Sequence, residues 1–151
     1  MFMTKMFGWL AFLLISVAIA IAAEVKVEAY ITNNPESEGA TIFSPETHIF
    51  YAMFKAKGLS PGDKIRGVWI SDDVGDAAPN NFKIEEKTLT AQDSTLDAQF
   101  SLTKPGTWPR GDYHIEIYVN DQLATNAKFS VKALAKTKKL PAQNEEEESG
   151  D

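Results

Sequence analysis

The chain has 151 residues, of which 44% are hydrophobic and 11% aromatic, so its length and composition predict one domain with a packed core. Fifteen Lys and Arg stand against 21 Asp and Glu, a formal net charge of −6, and no basic stripe is present. We therefore expect no nucleic-acid binding. The chain has no cysteine, which excludes a thiol nucleophile, a thiolate metal site, a disulfide and a lipidated cysteine.

The N-terminal segment 1–23 has the pattern of a secretory signal peptide. Lys5 precedes an apolar run over 7–23 that ends in small residues, and cleavage after Ala22 or after Ala23 fits the pattern. The run of 17 residues is also near the lower limit for a membrane span, so an uncleaved signal anchor is the alternative. We expect an exported protein, periplasmic or extracellular, that meets a membrane only if this segment stays uncleaved.

Over 24–132 the dominant pattern is an alternation of apolar and polar residues, which is typical of half-buried strands. Two segments, 49–54 and 67–70, are apolar at successive positions and are predicted as central strands covered on each side. The segment from Phe82 is predicted as an edge strand, because charged residues are typical of edges, where they discourage pairing with a strand of another chain. Seven strands are predicted, at about 25–32, 47–56, 64–71, 82–88, 95–102, 112–119 and 123–131.

Turn-forming residues separate the predicted strands. Pro61 and Gly62 suit a tight turn, and Asn120 and Asp121 tolerate the positive φ of a short hairpin. Short strands without a crossover helix predict an antiparallel sandwich or barrel.

The last segment, 133–151, has no aromatic residue and carries lysines followed by a block of glutamates. Such a composition predicts a disordered tail. We expect it to aid solubility, and the alternative is a flexible acidic arm for a basic partner.

The segment from Trp108 to Asn120 resembles the penultimate strand of immunoglobulin-like and fibronectin type III-like sandwiches. In those folds a Tyr hydroxyl bonds to upstream backbone in a tyrosine corner, and Pro109 and Tyr113 have the spacing seen there. Trp69 resembles the core Trp of many such domains. The resemblance, to small exported bacterial domains, implies a seven-stranded antiparallel immunoglobulin-like sandwich without the antibody disulfide. A shared fold does not imply a shared function.

The aromatic residues divide into a predicted core set and a predicted exposed set. A cysteine-free domain of this size needs large rings in its core for stability. The core set is Phe43, Phe50, Phe54, Trp69, Phe82, Phe100, Tyr113 and Phe129. The exposed set, which would be the default contact surface, is Tyr30, Tyr51, Trp108 and Tyr118.

One loop carries three carboxylates, Asp72, Asp73 and Asp76. Carboxylate oxygens are the ligands that Ca²⁺ takes, but the loop lacks the spaced ladder with a closing Glu. Because Asp and Gly are common in turns, we predict no metal site. With Trp108 and Arg110, these three residues form the predicted interaction surface.

The tripeptide from Arg110 to Asp112 is the one that integrins read in some adhesive proteins. It lies in the predicted corner turn, where Gly and Asp serve the backbone. We therefore expect no adhesion through it.

Catalysis is not predicted, and no cofactor is expected. His48 and His114 are far apart, and His114 is predicted on a solvent-exposed strand face. Glu85 and Glu86 are neighbours in a strand, so their side chains point to opposite faces and cannot share a site. No nucleophile motif, phosphate loop or metalloprotease helix is present in the sequence.

These patterns predict an exported, non-catalytic β-sandwich module that binds another protein or a cell-envelope component. The alternative is a small secreted protease inhibitor, because Asn34-Pro35 resembles the Asn-Pro loop of immunoglobulin-like inhibitors of cysteine proteases. The Gly-rich loop and the Arg-Pro-aromatic loop that such inhibitors carry are missing here. Inhibition of a papain-like enzyme would distinguish the two.

Overall fold

The computed structural model describes residues 23–135. The predicted signal peptide, apart from Ala23, and all of the predicted tail beyond residue 135 lie outside these residues. Within 23–135, no helix has both the length and the apolar character needed to cross a membrane.

The described residues form eight strands and one short 3-10 turn. The strands are β1 (Lys26–Thr32), β2 (Ile42–Phe43), β3 (Ile49–Lys57), β4 (Lys64–Asp73), β5 (Phe82–Thr90), β6 (Thr95–Thr103), β7 (Gly111–Val119) and β8 (Gln122–Val131), and the 3-10 turn is Gly75–Ala77. The seven predicted strands are all present. The strand count of seven is wrong by one, because the two residues of β2 are too few to show an alternation.

The strands form two sheets. One has three strands in the order β1-β3-β6, and the other has five in the order β2-β8-β7-β4-β5. All pairs are antiparallel except β2 with β8. The first, second and fifth long strands share one sheet while the third, sixth and seventh share the other, which is the distribution of strands A, B, E and C, F, G in immunoglobulin-like sandwiches. The described part of the chain is therefore an all-β sandwich with an immunoglobulin-like strand order.

A cluster of aromatic rings fills the space between the sheets. The ring of Phe129 lies 4.7 Å from that of Phe50 and 5.3 Å from that of Tyr113, measured between centroids. Trp69 meets Phe129 edge-on at 6.2 Å. Such offset and edge-to-face pairs contribute beyond the area they bury. Seven of the eight predicted core aromatics are buried, and the eighth, Phe82, was predicted wrongly because it is 48% exposed.

Trp108 was also predicted wrongly, since it is 3% exposed and belongs to the core. Its indole N–H donates to the carbonyl of Thr47 at 2.8 Å, and its ring lies 5.0 Å from that of Phe50. A buried Trp needs a partner for its N–H, and the loop before β3 supplies it. The polar neighbours of Trp108 in sequence gave no sign of this burial.

The strands predicted as central are central, but their outer faces are not fully covered. β3 lies between β1 and β6, and β4 lies between β7 and β5. On the outer side of β3, Ile49, Tyr51 and Met53 are half-buried. The described residues contain no third layer to cover them, so the expectation of cover on each side was wrong.

The predicted turns are confirmed. Gly62 has φ of 94°, and the N–H of Asp63 donates to the carbonyl of Ser60 at 3.0 Å. Asn120 and Asp121 have φ of 48° and 65° and connect β7 to β8. Two consecutive positive φ values match the twist of a tight hairpin, and Asn and Asp tolerate them best after Gly.

The tyrosine corner is confirmed as well. The hydroxyl of Tyr113 donates to the carbonyl of Pro109 at 2.6 Å, and the residue is 2% exposed. Burial raises the pKa of Tyr113 to about 12. The bond fixes the loop before β7 against the start of that strand.

Tyr113→Phe should lower the free energy of unfolding by about 1 kcal/mol, because the ring stays packed while the carbonyl of Pro109 loses its buried donor. Urea denaturation followed by Trp fluorescence measures the difference. The matched control is Tyr30→Phe, at a side chain that is 44% exposed. Equal effects of the two substitutions would contradict a stabilising corner.

Candidate functional site

The structure brings two of the sequence-predicted segments together at one end of the sandwich. Asp72 and Asp73 end β4, and Gly111 begins β7. A Cβ on Gly111, whose φ is 149°, would overlap the carbonyl oxygen of Asp73. The corner that carries Arg110 therefore touches the acidic loop directly. Trp108, the remaining part of the predicted surface, lies beneath this end and is almost fully buried.

The carboxylates of the acidic loop have separate partners. Asp73 accepts from the N–H of Gly75 at 3.0 Å, and Asp72 lies against His114. Asp76 is exposed. Across residues 23–135 no group of three or more His, Asp or Glu side chains could hold a metal ion.

His114 lies on the outer face of its strand, as predicted, but it is held between two carboxylates and is half-buried rather than exposed. Its side chain is 13% exposed, with Nδ1 2.7 Å from Oδ1 of Asp72 and Nε2 3.3 Å from Oε1 of Glu116. The Nδ1 contact lies outside hydrogen-bond geometry. The outer face of the larger sheet thus buries a titratable ring between acidic neighbours on β4 and β7.

The same network continues along β7. The hydroxyl of Tyr118 donates to Oε2 of Glu116 at 2.5 Å, and the guanidinium of Arg66 lies 4.3 Å from the centroid of the Tyr118 ring. Arg66 also pairs with Glu86 at 3.6 Å and with Asp121 at 3.3 Å. These residues come from three strands and one turn, so their spacing in sequence could not reveal the cluster.

The pKa of Glu116 reflects these contacts. Burial alone raises it, but hydrogen bonds from Tyr118 and His114 and the charge of Arg66 lower it, and the net pKa lies below the ordinary value of 4.5. The same bond raises the pKa of Tyr118. The network therefore stabilises an ionised Glu116 on the folded protein.

A different feature, on the inner side of β5, is not covered by the smaller sheet. Four residues of β4 face the core and are buried, and their neighbours in register on β5 point to the same side of the sheet. The pairs are Ile65 with Leu89, Gly67 with Lys87, Trp69 with Glu85, and Ser71 with Phe82. All four β5 members are half-buried or exposed. We call the inner side of β5, residues 82–89, together with the free edge of β6 the open flank.

The position of β6 explains why β5 is uncovered. A Cβ on Gly67 would lie 2.6 Å from a ring carbon of Phe100, so β6 packs directly over β4. β6 is the last strand of its sheet, whereas β5 continues the other sheet by one strand. Strands are about 4.8 Å apart within a sheet, and β5 therefore extends one strand beyond its cover.

The uncovered side of β5 is apolar at both ends and charged in the middle. Leu89 and Ile84 pack against the core from its margin, and Phe82 is 48% exposed. Between them, Nζ of Lys87 pairs with Oε1 of Glu85 at 3.1 Å. This ion pair lies on the core-facing side of β5 and is accessible to solvent, so water rather than a strand of the smaller sheet covers it.

An apolar cleft lies at the Phe82 end of the open flank. Its volume is about 130 Å³, and its walls include Val74, Ala78, Phe82, Ile84 and Trp108. Pockets for drug-sized ligands are roughly 300–1,000 Å³. This cleft has room for one apolar side chain, and Val74 and Ala78 connect it to the acidic loop.

A larger depression of about 590 Å³ lies on the other side of the same end, beside β2 and β8. Its carboxylates already have partners, because Asp72 contacts His114 and Asp112 accepts from the hydroxyl of Ser130 at 2.6 Å. The bond to Ser130 engages the acidic residue of the integrin-type tripeptide. We regard the open flank as the better candidate site, since no strand of the described chain covers its inner side.

The free edge of β6 lacks the features that usually guard an edge strand. Nine residues pair only with β3, and one of them is charged. That residue, Asp97, pairs with Lys55 of the neighbouring strand at 3.5 Å. The edge strand β5 carries four charges, Lys83, Glu85, Glu86 and Lys87, as predicted for a protected edge.

The Asn34-Pro35 loop, on which the protease-inhibitor alternative rests, is an exposed turn. Asn34 accepts through Oδ1 from the N–H of Glu36 at 3.1 Å, and its carbonyl accepts from the N–H of Ser37 at 2.9 Å. It follows β1, away from the acidic loop in sequence. The inhibitor hypothesis stays a prediction.

Glu116→Gln should flatten the dependence of stability on pH below 4.5. A carboxylate with a lowered pKa in the folded state contributes stability that is complete above the unfolded pKa and is lost as the pH falls through the folded pKa. Urea denaturation at several pH values between neutral and strongly acidic measures this loss. Glu38→Gln, at an exposed loop position, is the control. A wild-type profile for Glu116→Gln would contradict the assigned network.

Comparisons with known proteins give a likeness in fold and no family. No family profile matches the chain, and no curated protein matches it. An immunoglobulin-like protein from Pseudomonas aeruginosa is similar at 16% identity and a TM-score of 0.49, over 75% of this chain and 100% of that one. An alkylpurine DNA glycosylase from Pseudomonas fluorescens, solved on DNA containing an abasic site analog, is similar at 18% identity and a TM-score of 0.45. That match covers 74% of this chain, which spans only 31% of the glycosylase chain. The immunoglobulin-like description therefore stands on the strand order.

Proposed function

We propose that the chain is an exported, non-catalytic β-sandwich module that binds another protein through the open flank. The observation that carries the proposal is the uncovered inner side of β5, where Phe82, Ile84 and Leu89 face a space that no strand of the described chain fills. Apolar groups in such a position gain free energy when a partner removes them from water. An apolar surface with a polar surround is typical of protein interfaces.

The size and position of the apolar cleft favour a macromolecular partner over a small molecule. Its volume of about 130 Å³ admits one side chain, and a few anchors of this kind carry most of the energy of protein interfaces. The walls are rigid, because Trp108 and Tyr113 are both buried and hydrogen-bonded to backbone. A preformed cleft loses little entropy when an anchor enters.

The charges beside the cleft are of both signs, because Lys104 lines it with Nζ 5.7 Å from the centroid of the Trp108 ring. Asp73 and Asp76 are exposed on the loop that also supplies Val74 to the cleft. Removal of the predicted signal peptide would leave 14 Lys and Arg against 21 Asp and Glu, a formal charge of −7. A partner segment with an apolar residue for the cleft and a Lys or Arg on the side of Asp73 and Asp76, away from Lys104, fits these features.

In this proposal the chain supplies a rigid binding surface, and any catalysis is carried out by the partner. The titratable groups of the His114 network lie on the opposite, outer face of the larger sheet and are engaged with one another. Export follows from the predicted signal peptide, and the acidic balance of the chain supports a partner other than a nucleic acid.

Phe82→Glu should weaken partner binding strongly, because it places a charge at the mouth of the apolar cleft. The test captures partners from the envelope fraction of the native host on the immobilised full chain, and then measures the dissociation constant of the partner that is found. Loss of one anchor weakens binding by roughly thirtyfold or more. Leu123→Glu, at a residue that is 53% exposed on β8, is the matched control.

The two substitutions separate specific binding from general charge effects. A single stoichiometric partner retained by wild type and Leu123→Glu, and lost by Phe82→Glu, would support the proposal. Undiminished binding to Phe82→Glu would contradict it, and so would the absence of any partner whose binding persists at high salt.

A further inference from the structure

We infer that the partner binds by strand addition: one extended segment pairs with the free edge of β6 and covers the inner side of β5. This inference rests on the proposed function and names how its partner is recognised. Main-chain hydrogen bonds to β6 would supply affinity, and alternate side chains would supply specificity.

The geometry of the open flank is that of a sandwich with one strand position unfilled. β6 lies over β4, as the contact between Phe100 and Gly67 requires, and β5 lies one strand further out. A strand added to β6 at the usual spacing of about 4.8 Å would therefore lie over β5. Its inward side chains would reach Leu89, Ile84 and Phe82, while its outward side chains would meet water.

The sequence of β6 permits this pairing. Its nine residues contain no Pro and one charge, and they pair with β3 alone, so the N–H and C=O groups of the other edge have no strand partner within the described chain. Gln99 and Thr103 on this strand are exposed. Edges without charge or Pro are the ones that accept an additional strand, and the charged edge of β5 is guarded against it.

A second copy of this chain does not fit the same position by antiparallel pairing. Antiparallel pairing of β6 with the β6 of another copy would bring that copy's β4 to the place that β5 already occupies, because β4 lies beneath β6 in each copy. Because β5 already lies beneath this position, there is room for a single strand but not for a strand that brings its own second sheet. The occupant that fits this inference is an extended segment of a different protein, presented at an edge, a terminus or a loop.

The flank also sets the residue pattern of that segment. Apolar residues at alternate positions would cover Leu89 and Ile84, and one at the end of the segment would enter the apolar cleft beside Phe82. A polar residue between them would face the ion pair of Lys87 and Glu85. A Lys or Arg just beyond the cleft would meet Asp73 and Asp76.

Two proline substitutions test the strand pairing. Neighbouring residues in a strand direct their N–H groups to opposite edges, so either Ala98→Pro or Gln99→Pro removes an N–H from the free edge alone. We expect that one of them keeps a folded chain, by urea denaturation of the full chain, and binds the captured partner at least tenfold more weakly. Undiminished binding by a stably folded proline variant would overturn the inference.

Hydrogen exchange gives a second readout that does not depend on the proline variants. The probes are the captured partner and, independently, nine-residue peptides selected from a random display library on the full chain. We expect slower exchange at alternate amides of β6 in both complexes, and an alternating apolar pattern in the selected peptides. Protection confined to other strands or to the loops would overturn strand addition.

The two proposals can fail separately. Capture that depends on Phe82 without protection of β6 would leave the proposed function standing and remove the inference. Failure to capture any partner, together with failure to select any peptide, would remove both.

Discussion

The ring of Phe100 rests directly on Gly67, and this contact fixes how the two sheets of the sandwich are placed over each other. A side chain at Gly67 would lie 2.6 Å from that ring, so only glycine lets β6 approach β4 this closely. Because β6 ends its three-stranded sheet and β4 is followed by β5, the contact determines which strand is left uncovered. The aromatic cluster around Phe129 fills the rest of the space between the sheets, over β7 and β8.

The two faces of the larger sheet consequently have different roles. On its outer face, His114, Glu116, Tyr118 and Arg66 are engaged in a network that holds an ionised carboxylate on the folded protein. On its inner face, β5 offers apolar side chains and an ion pair to solvent. The charges of the outer face are paired with one another, whereas the apolar groups of the inner side of β5 are the ones that a partner covers in the proposed function.

Much of the fold followed from the sequence, because alternation and turn chemistry are local properties. All seven long strands, the hairpin at Asn120 and the corner at Tyr113 are found as predicted. The two-residue strand β2 was missed because its pairing with β8 leaves no local pattern. Trp108 and Phe82 were assigned to the wrong sides, since their burial depends on which strand of the opposite sheet lies above them. Of the predicted contact residues, Asp73, Asp76 and Arg110 are exposed, Asp72 is half-buried and Trp108 is buried. The network around His114 could not be predicted because it forms only when three strands come together.

The most direct test of the account is the accessibility of the inner side of β5. Because the chain has no cysteine, a single Lys87→Cys or Thr88→Cys substitution places one thiol on the inner or the outer side of that strand. The account predicts that the thiols of the two full-length variants react with a thiol reagent at similar rates. It also predicts that partner binding slows the reaction of the Lys87→Cys variant alone. Protection of the Lys87→Cys variant in the free protein, comparable to that of a core position, would show that the flank is already filled and would contradict the account.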